Sequence, residues 1–417
     1  MGRRLARLTP LPKLLEEGAD IPLEHEGVSG PFKSPQLDRI AKIGNRVLFV
    51  TGEAFAHGGL ATVHRAMTLE SPEPDSYQPS GELSVVRSQQ VRLSTRPVAI
   101  RRGSPQEISD RARSYERKFA FEMGVHRRAH RLAPAGVINL MDSRIQTRQM
   151  VEPSRLPMGS RSTTTTEEVL VTECVLEQGD MSLSSWLRNG QRESINVEVA
   201  AAQLLETLAV LHRNGIVHLD LKPDNILLVK DEQGAYRLKL CDFGCANDLS
   251  FLQAERTHPE EWTVACERAI PNQNSILYTA SEIREIGLGN PDGIPGLPLY
   301  EGGEVPTKFT DDHYIMGPRY DVFSLGVVLW QMATDVGLPL VEARTKRSDF
   351  WPAPFSPDDY QALKEMVQQN SSLRANPLIC TALKCLTPMP LDRPSDAGKV
   401  LKILQNFQSQ IGRSPFG

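Results

Sequence analysis

The sequence predicts an α+β, two-lobed fold in which a small β-rich lobe is followed by a larger α-helical lobe. Three observations lead there. Short apolar, β-branched runs punctuated by turn residues fill residues 46–175, with one long helical stretch among them. From Asp180 the apolar spacing turns helical and stays so. The chain has 417 residues with 40% hydrophobic and 24% charged, enough for a large two-lobed core and too apolar for wholesale disorder. On this reading residues 1–44 are an N-terminal extension, 45–411 one domain (small lobe about 45–175, large lobe about 180–411) and 412–417 a tail.

Each element follows from local pattern. Residues 1–44 carry Pro10, Pro12, Pro22, Pro31 and Pro35 among mixed charges, which disfavours regular structure. Arg46-Val47-Leu48-Phe49-Val50 reads as a strand, and 60–69 as its hairpin partner. Residues 71–82 are turn-rich and read as an insert, and Pro97–Ile100 is a third strand. Residues 105–130 read as a long helix with Phe119, Met123 and Val125 as apolar contacts. Two strands, 138–141 and 169–175, flank a Ser/Thr-rich loop at 160–166. Beyond them, 196–213 is a helix with an apolar face of Val199, Leu204, Leu205, Leu208 and Leu211. Val322–Met332 is an apolar helix, about half the length a bilayer needs. No repeat of 20–50 residues occurs.

Bulk properties exclude several classes. The net charge of −4 does not fit nucleic-acid binding by bulk electrostatics. Six scattered cysteines make no disulfide framework and fit a reducing, cytoplasmic setting. The first residues lack the apolar stretch of an intact signal peptide; a secretory compartment would follow if the numbering began after a removed leader.

The chemistry concentrates in His218-Leu219-Asp220-Leu221-Lys222-Pro223-Asp224-Asn225, followed seventeen residues after Asn225 by Asp242-Phe243-Gly244. An Asp, a Lys two positions on, an Asn three further and a second Asp form a phosphoryl-transfer set. One carboxylate orients a hydroxyl and accepts its proton, the amide and second carboxylate hold Mg²⁺, and the Lys offsets charge on the transferring group. The two motifs resemble those of the protein kinase superfamily, H-R-D-L-x-x-x-N and D-F-G, and the resemblance runs from about Arg46 to Ile411. In order and at this spacing the pair is highly specific.

The resemblance implies an ATP- and Mg²⁺-dependent Ser/Thr protein kinase acting on protein hydroxyls. Asp220, Lys222 and Asn225 would be catalytic, and Asn225 and Asp242 would hold the metal. Lys222, with Ser275 three residues before Tyr278, fits the Ser/Thr pattern. Tyr278-Thr279-Ala280-Ser281-Glu282 resembles Y-x-A-P-E, and the resemblance implies a buried Glu282–Arg393 ion pair. Asp321 resembles the Asp that accepts backbone hydrogen bonds from the catalytic loop; the plainer reading is an N-cap, and both can hold together. By the same resemblance Gly58, Val63, Ala99, Arg101, Glu122, Thr172, Glu173, Val175 and Leu227 bind the nucleotide. Thr172 would be the gatekeeper, opening a back pocket, Glu173 and Val175 would offer backbone groups to adenine, and Val63, Ala99 and Leu227 would sandwich it.

The chain also departs from the pattern. The Gly-rich loop, aligned on Val63, keeps only Gly58, with Ala56 and Ala61 at the outer positions. Val98-Ala99-Ile100-Arg101 carries Arg where the family has the phosphate-anchoring Lys; Arg is longer, planar and forked. Lys118, one turn before Glu122, is either its exposed i,i+4 partner or a lysine reaching inward, and Glu116 is the alternative to Glu122. Leu219 replaces the Arg that, in the family, demands an activation-loop phosphate, so control by such a phosphate is not expected. These departures sustain a second reading, a pseudokinase that holds nucleotide or simply scaffolds other proteins. The leader, insert and worn loop are also similar to secreted parasite kinases of the rhoptry type.

Three further features concern partners and reactivity. Cys241 and Cys245 flank the D-F-G motif; an alkylatable Cys241 is set against a buried inert thiol. The segments 242–282 and 283–320 are long, and the second is rich in Gly and Pro, so both are placed near a protein substrate or are surface decoration. Residues 87–130 hold eleven Lys/Arg against four acids, a solvated face or a docking surface for an acidic or phosphorylated partner.

Overall fold

Short β-branched runs, continuously buried at Val98–Ile100 and at 169–175, build the first part of the molecule, and a helix buried from Tyr320 to Trp330 organises the second. In the computed structural model the described residues are 39–43, 46–57, 61–70, 92–107, 110–153, 164–189, 195–231, 233–248, 278, 317–334, 336–338 and 355–411. They fall into two compact units: those up to Arg117 together with Asn139–Gln178, and Lys118–Ile138 together with those from Gly179 on.

The first unit is an antiparallel seven-stranded sheet of β1 (Arg39–Ile43), β2 (Arg46–His57), β3 (Ala61–Glu70), β4 (Arg92–Gly103), β5 (Gln106–Glu107), β6 (Leu140–Pro153) and β7 (Thr164–Glu177). The spatial order is β1-β2-β3-β4-β7, with β5 and β6 both paired to β7. Ile43, Leu48, Val50, Ala66, Val98, Ile100 and Val175 form its core. The boundary expected at residue 44 is corrected here: Arg39–Ile43 pairs with Arg46–Val50, and Ile43 is fully buried in that core. One apolar position inside the sheet was enough to recruit a stretch that composition alone assigns to an extension. The strands expected at 138–141 and 169–175 are much longer, because Thr, Val and Met sustain pairing from Leu140↔Leu176 out to Pro153↔Thr164. The predicted insert at 71–82 and the loop at 154–163 lie outside the described residues.

Helix α1 (Asp110–Leu132) starts later than predicted, since Gln106–Glu107 is taken by β5. Phe119, Met123 and Val125 are buried as their spacing requires.

The second unit continues with β8 (Met181–Ser182), α2 (Leu183–Asn189), α3 (Val197–Arg213), β9 (Ile216–Val217), β10 (Ile226–Lys230), β11 (Tyr236–Leu240) and β12 (Asn247–Asp248). Then come α4 (Pro318–Thr334), α5 (Pro357–Gln369), α6 (Ser371–Ala375), α7 (Pro377–Cys385) and α8 (Ala397–Ile411). Asn196 caps α3 by accepting from the N–H groups of Glu198 and Val199, and Ser356 with Asp359 forms a capping box on α5. Leu204, Leu205, Leu208 and Leu211 are buried, but Val199 is exposed, and the inward face of α3 begins instead at Ala200 and Ala201. Tyr320–Trp330 is buried without a break, the signature of a helix enclosed by others. Gly326 makes the α4–α7 approach possible: a Cβ there would lie 2.7 Å from Cys385 Cβ. Among the described residues no helix is long and apolar enough to cross a membrane, and the five described cysteines are free.

Candidate active site

The site is built at one end of the β10–β11 hairpin. β9 delivers the chain into 218–222, a 3₁₀ turn at Pro223–Asn225 returns it, and β10 follows directly. Antiparallel register Ile226↔Leu240 brings the end of β11 beside the start of β10. The Cys241 N–H then donates to the Asn225 carbonyl at 3.0 Å, so Asn225 and the Asp242 loop are held side by side.

Asp321 fixes the loop from beneath. It is fully buried and accepts from the backbone N–H of His218 at 2.7 Å and of Leu219 at 2.8 Å. His212 Nε2 donates to the same carboxylate at 3.0 Å, while its Nδ1 accepts from the Ala397 N–H at 3.1 Å. The backbone-accepting role expected of Asp321 is therefore what it performs. It is not an N-cap, because α4 begins three residues earlier, at Pro318. These bonds hold Leu219 at φ 61°, a left-handed conformation that costs a non-glycine residue about 1–2 kcal/mol. Asp242 is likewise left-handed, at φ 58°.

Asp220 is 8% exposed. Its Oδ2 receives Lys222 Nζ and Asn225 Nδ2, both at 2.8 Å, and the Asn225 amide also donates to the Asp220 carbonyl at 2.8 Å. Its Oδ1 is buried with no hydrogen-bond partner. One oxygen is thus pinned by two donors, and the other is an unsatisfied acceptor, costly unless a donor arrives.

The donor set suits Mg²⁺. With the Asn225 NH₂ committed to Asp220, the amide oxygen is the end left for a cation, and the exposed Asp242 carboxylate beside it is a second hard oxygen ligand. Among the described residues no cluster of three His, Cys, Asp or Glu side chains forms another metal site.

Phe243 secures the metal loop. It is fully buried, with its ring 4.9 Å from that of His126 and 5.0 Å from that of His218, whose Nε2 bonds the Cys241 carbonyl at 3.0 Å. Cys241 and Cys245 are both partly exposed rather than buried. Arg393 is 3% exposed, donates to the carbonyls of Thr387 and Pro388 at 2.7 and 2.8 Å, and lies over Phe323. Its expected partner Glu282 lies outside the described residues, as do Ser275 and Gly58. Tyr278 is anchored to α4 by its hydroxyl on Gln331 and by Ser324 Oγ on its carbonyl.

Of the two candidate glutamates on helix α1, Glu122 is 7% exposed, whereas Glu116 is exposed. Leu227 lies on β10, against Gly179. In the first unit Ala99 is buried, and Arg101 stands mid-strand on β4 between Val63 of β3 and Cys174 of β7.

The expected adenine-binding segment is corrected. Glu173 pairs with Arg102 on one side and Arg144 on the other, and Val175 pairs with Ile100 and Asp142. A strand flanked on both sides spends its N–H and C=O groups in the ladders, so neither residue presents a free backbone edge. The fully buried Glu173 side chain is instead gripped by Arg102 Nε at 2.7 Å and Arg144 Nε at 2.6 Å. Thr172 is buried, and its Oγ1 meets Tyr115 Oη at 3.2 Å over Gly103, where a Cβ would collide with both oxygens. The strand and its ladders end at Glu177.

His212 and His126 escaped sequence reasoning. Each is a polar residue on the apolar stripe of its helix, one turn from Leu208 and Glu122 respectively, and that misplacement was the available signal. The basic stretch is not one solvated face either: Arg102 and Arg128 are spent on Glu173 and Asp248.

Comparison with known proteins agrees with this geometry. The sequence profile of the protein kinase domain matches residues 80–269. The dual specificity protein kinase TTK of Mus musculus is 31% identical over 162 residues, 38% of this chain and 15% of that protein. The 3-phosphoinositide-dependent protein kinase 1 of Caenorhabditis elegans is 28% identical over 160 residues, 38% of this chain and 24% of that protein. Serine/threonine-protein kinase 36 of Mus musculus is 27% identical over 237 residues, 55% of this chain and 14% of that protein. The chain thus spans less than a quarter of the length of each of these relatives. With the catalytic loop, the metal loop and their common anchor Asp321 all in place, these findings support the eukaryotic protein kinase superfamily for this chain, the domain profile covering just under half of it.

Proposed function

We propose that the protein transfers the γ-phosphoryl group of ATP to Ser or Thr hydroxyls of protein substrates. The observation that carries this reading is the buried, unpartnered Oδ1 of Asp220 beside the doubly held Oδ2. A substrate hydroxyl donating to Oδ1 is aimed by a carboxylate that cannot rotate. As the hydroxyl oxygen bonds to phosphorus and the bond to the ADP oxygen breaks, the hydroxyl proton passes to Asp220. Lys222, already on Oδ2, offsets negative charge at the reacting centre. Asn225 and Asp242 would hold Mg²⁺, which supplies charge neutralisation to the phosphates when bound. Arg101 keeps a positive charge where the family carries Lys.

A second reading, nucleotide binding or scaffolding without transfer, is favoured by Arg101 and by the loss of two loop glycines. Labelled ATP with Mg²⁺, supplied to the protein with a mixed Ser/Thr substrate, separates the two. Label on Ser and Thr that vanishes in Asp242→Ala is the expected result. Equal label in wild type and variant, both folded, would overturn the kinase reading.

A further inference from the structure

Three strands meet on one carboxylate at the end of β4. Arg102 is the last residue of β4 to pair with β7, opposite Glu173, and Arg144 of β6 stands opposite Glu173 on the other side. The Glu173 carboxylate is divided between them: Oε1 accepts from Arg102 Nε at 2.7 Å and Oε2 from Arg144 Nε at 2.6 Å. The carboxylate is fully buried, and the two arginine side chains are 17% and 22% exposed, so the group is largely withdrawn from solvent and weakly screened.

Side chains alternate across a strand, so this group and Arg101 lie on opposite faces of the sheet. Arg102 continues the row of Val98 and Ile100, and Glu173 the row of Val175, all three apolar residues belonging to the core of the first unit. Arg101 falls on the other face, with Ala99 and with its cross-strand partner Val63, the residues that the kinase resemblance places against the nucleotide. On that face the end of the strand is closed as well: Tyr115 Oη and Thr172 Oγ1 meet at 3.2 Å over Gly103, leaving no room for a side chain there. Ladders open most readily at their ends, and Arg101 stands one residue before the last β4–β7 rung. A buried ion pair adds little net stability over packed apolar side chains, whereas removing one partner strands the other charge. What three charged side chains do supply at this rung is a fixed geometry.

We infer that Glu173 is a positioning residue for phosphate binding. By holding Arg102 it fixes the last β4–β7 rung, and with it the direction in which the neighbouring Arg101 guanidinium leaves the sheet. This role rests on the proposed function, in which Arg101 offers positive charge to the phosphates of ATP.

The test is a double-mutant cycle on the full chain with Glu173→Gln, Arg101→Ala and the double variant, read by titration calorimetry as dissociation constants for ATP with Mg²⁺ and for adenosine. Glu173→Gln keeps the size of the side chain and removes its charge. It is expected to weaken ATP binding about tenfold, within the range of coupled neighbours, and to change adenosine binding less than about twofold. In the Arg101→Ala background it should change ATP binding less than about twofold. Three results would each overturn the role: ATP affinity within about twofold of wild type in folded Glu173→Gln, an equal loss for ATP and adenosine, or the same loss with and without Arg101. If Glu173→Gln does not fold, Arg102→Lys, which keeps the charge but loses the fork, takes its place under the same criteria. Wild type that binds ATP but transfers no label would fail the kinase reading alone, and the cycle would still decide the role of Glu173. Wild type that binds no ATP would overturn both.

Discussion

Asp220 has one carboxylate oxygen held by two donors and the other without a partner, and the proposed transfer sets expectations for single residues on that basis. Asp220→Asn keeps the size and removes the proton acceptor. Single-turnover transfer should slow about 100-fold or more, the usual range for a positioned general base, with nucleotide affinity little changed. A rate within a few-fold of wild type would remove Asp220 from that role. Arg101→Lys restores the residue type of the family at a mid-strand position with ample neighbours. Its expected effect is a gain in kcat of about tenfold, or ~1.4 kcal/mol of barrier. Steady-state kinetics at saturating ATP would read it, and a drop in kcat would mean that Arg101 is itself adapted to the phosphates.

At the scale of elements, α4 is the post on which the catalytic loop hangs. Asp321→Ala leaves two buried N–H groups and His212 Nε2 without their acceptor. Each buried donor left unsatisfied costs about 1–3 kcal/mol, and Leu219 loses what holds it left-handed. Urea unfolding should show a lower midpoint, and transfer should fall with it; a variant as stable and active as wild type would contradict the anchoring role. Gly326→Val probes the α4–α7 contact, where even one added carbon would lie 2.7 Å from Cys385 Cβ. Overpacking of this kind costs about 1–3 kcal/mol or more, and thermal melting should detect it without any change in KM for ATP.

For the molecule as a whole, Asp396 gives stability an acid limb. It precedes α8 and accepts from Ser395 Oγ and the Lys399 N–H. Partial burial pushes its pKa up, but the hydrogen bonds from Ser395, Lys399 and Gly398 and the nearby His212 outweigh that and hold it below the ordinary 3.8. A depressed carboxylate contributes stability above its unfolded pKa and loses it as pH falls through the folded value. Melting temperature should therefore drop from about pH 4 downward, and Asp396→Asn, which keeps the cap geometry but cannot titrate, should flatten that limb. An identical acid limb in the variant would assign it to other carboxylates.

Local rules made much of this legible in advance. The catalytic and metal loops are contiguous motifs, so the roles proposed for Asp220, Lys222, Asn225 and Asp242 can be read from residue type, spacing and the family resemblance. The order of strands before helices, and the enclosed helix at 318–334, follow from apolar periodicity, which depends only on neighbours in the chain. What tertiary structure alone decided are pairings between residues far apart in sequence. Strand Arg39–Ile43 exists because Ile43 finds a core made by Val98 and Val175. Glu173 is a buried ion-pair centre rather than an edge because β4 and β6 flank it on both sides. Arg128 reaches Asp248 across 120 residues of chain, and His212 reaches Asp321 across 109. Composition and periodicity carry no record of such contacts, since the energy of a hydrogen bond or ion pair depends on which groups folding brings within reach and removes from water.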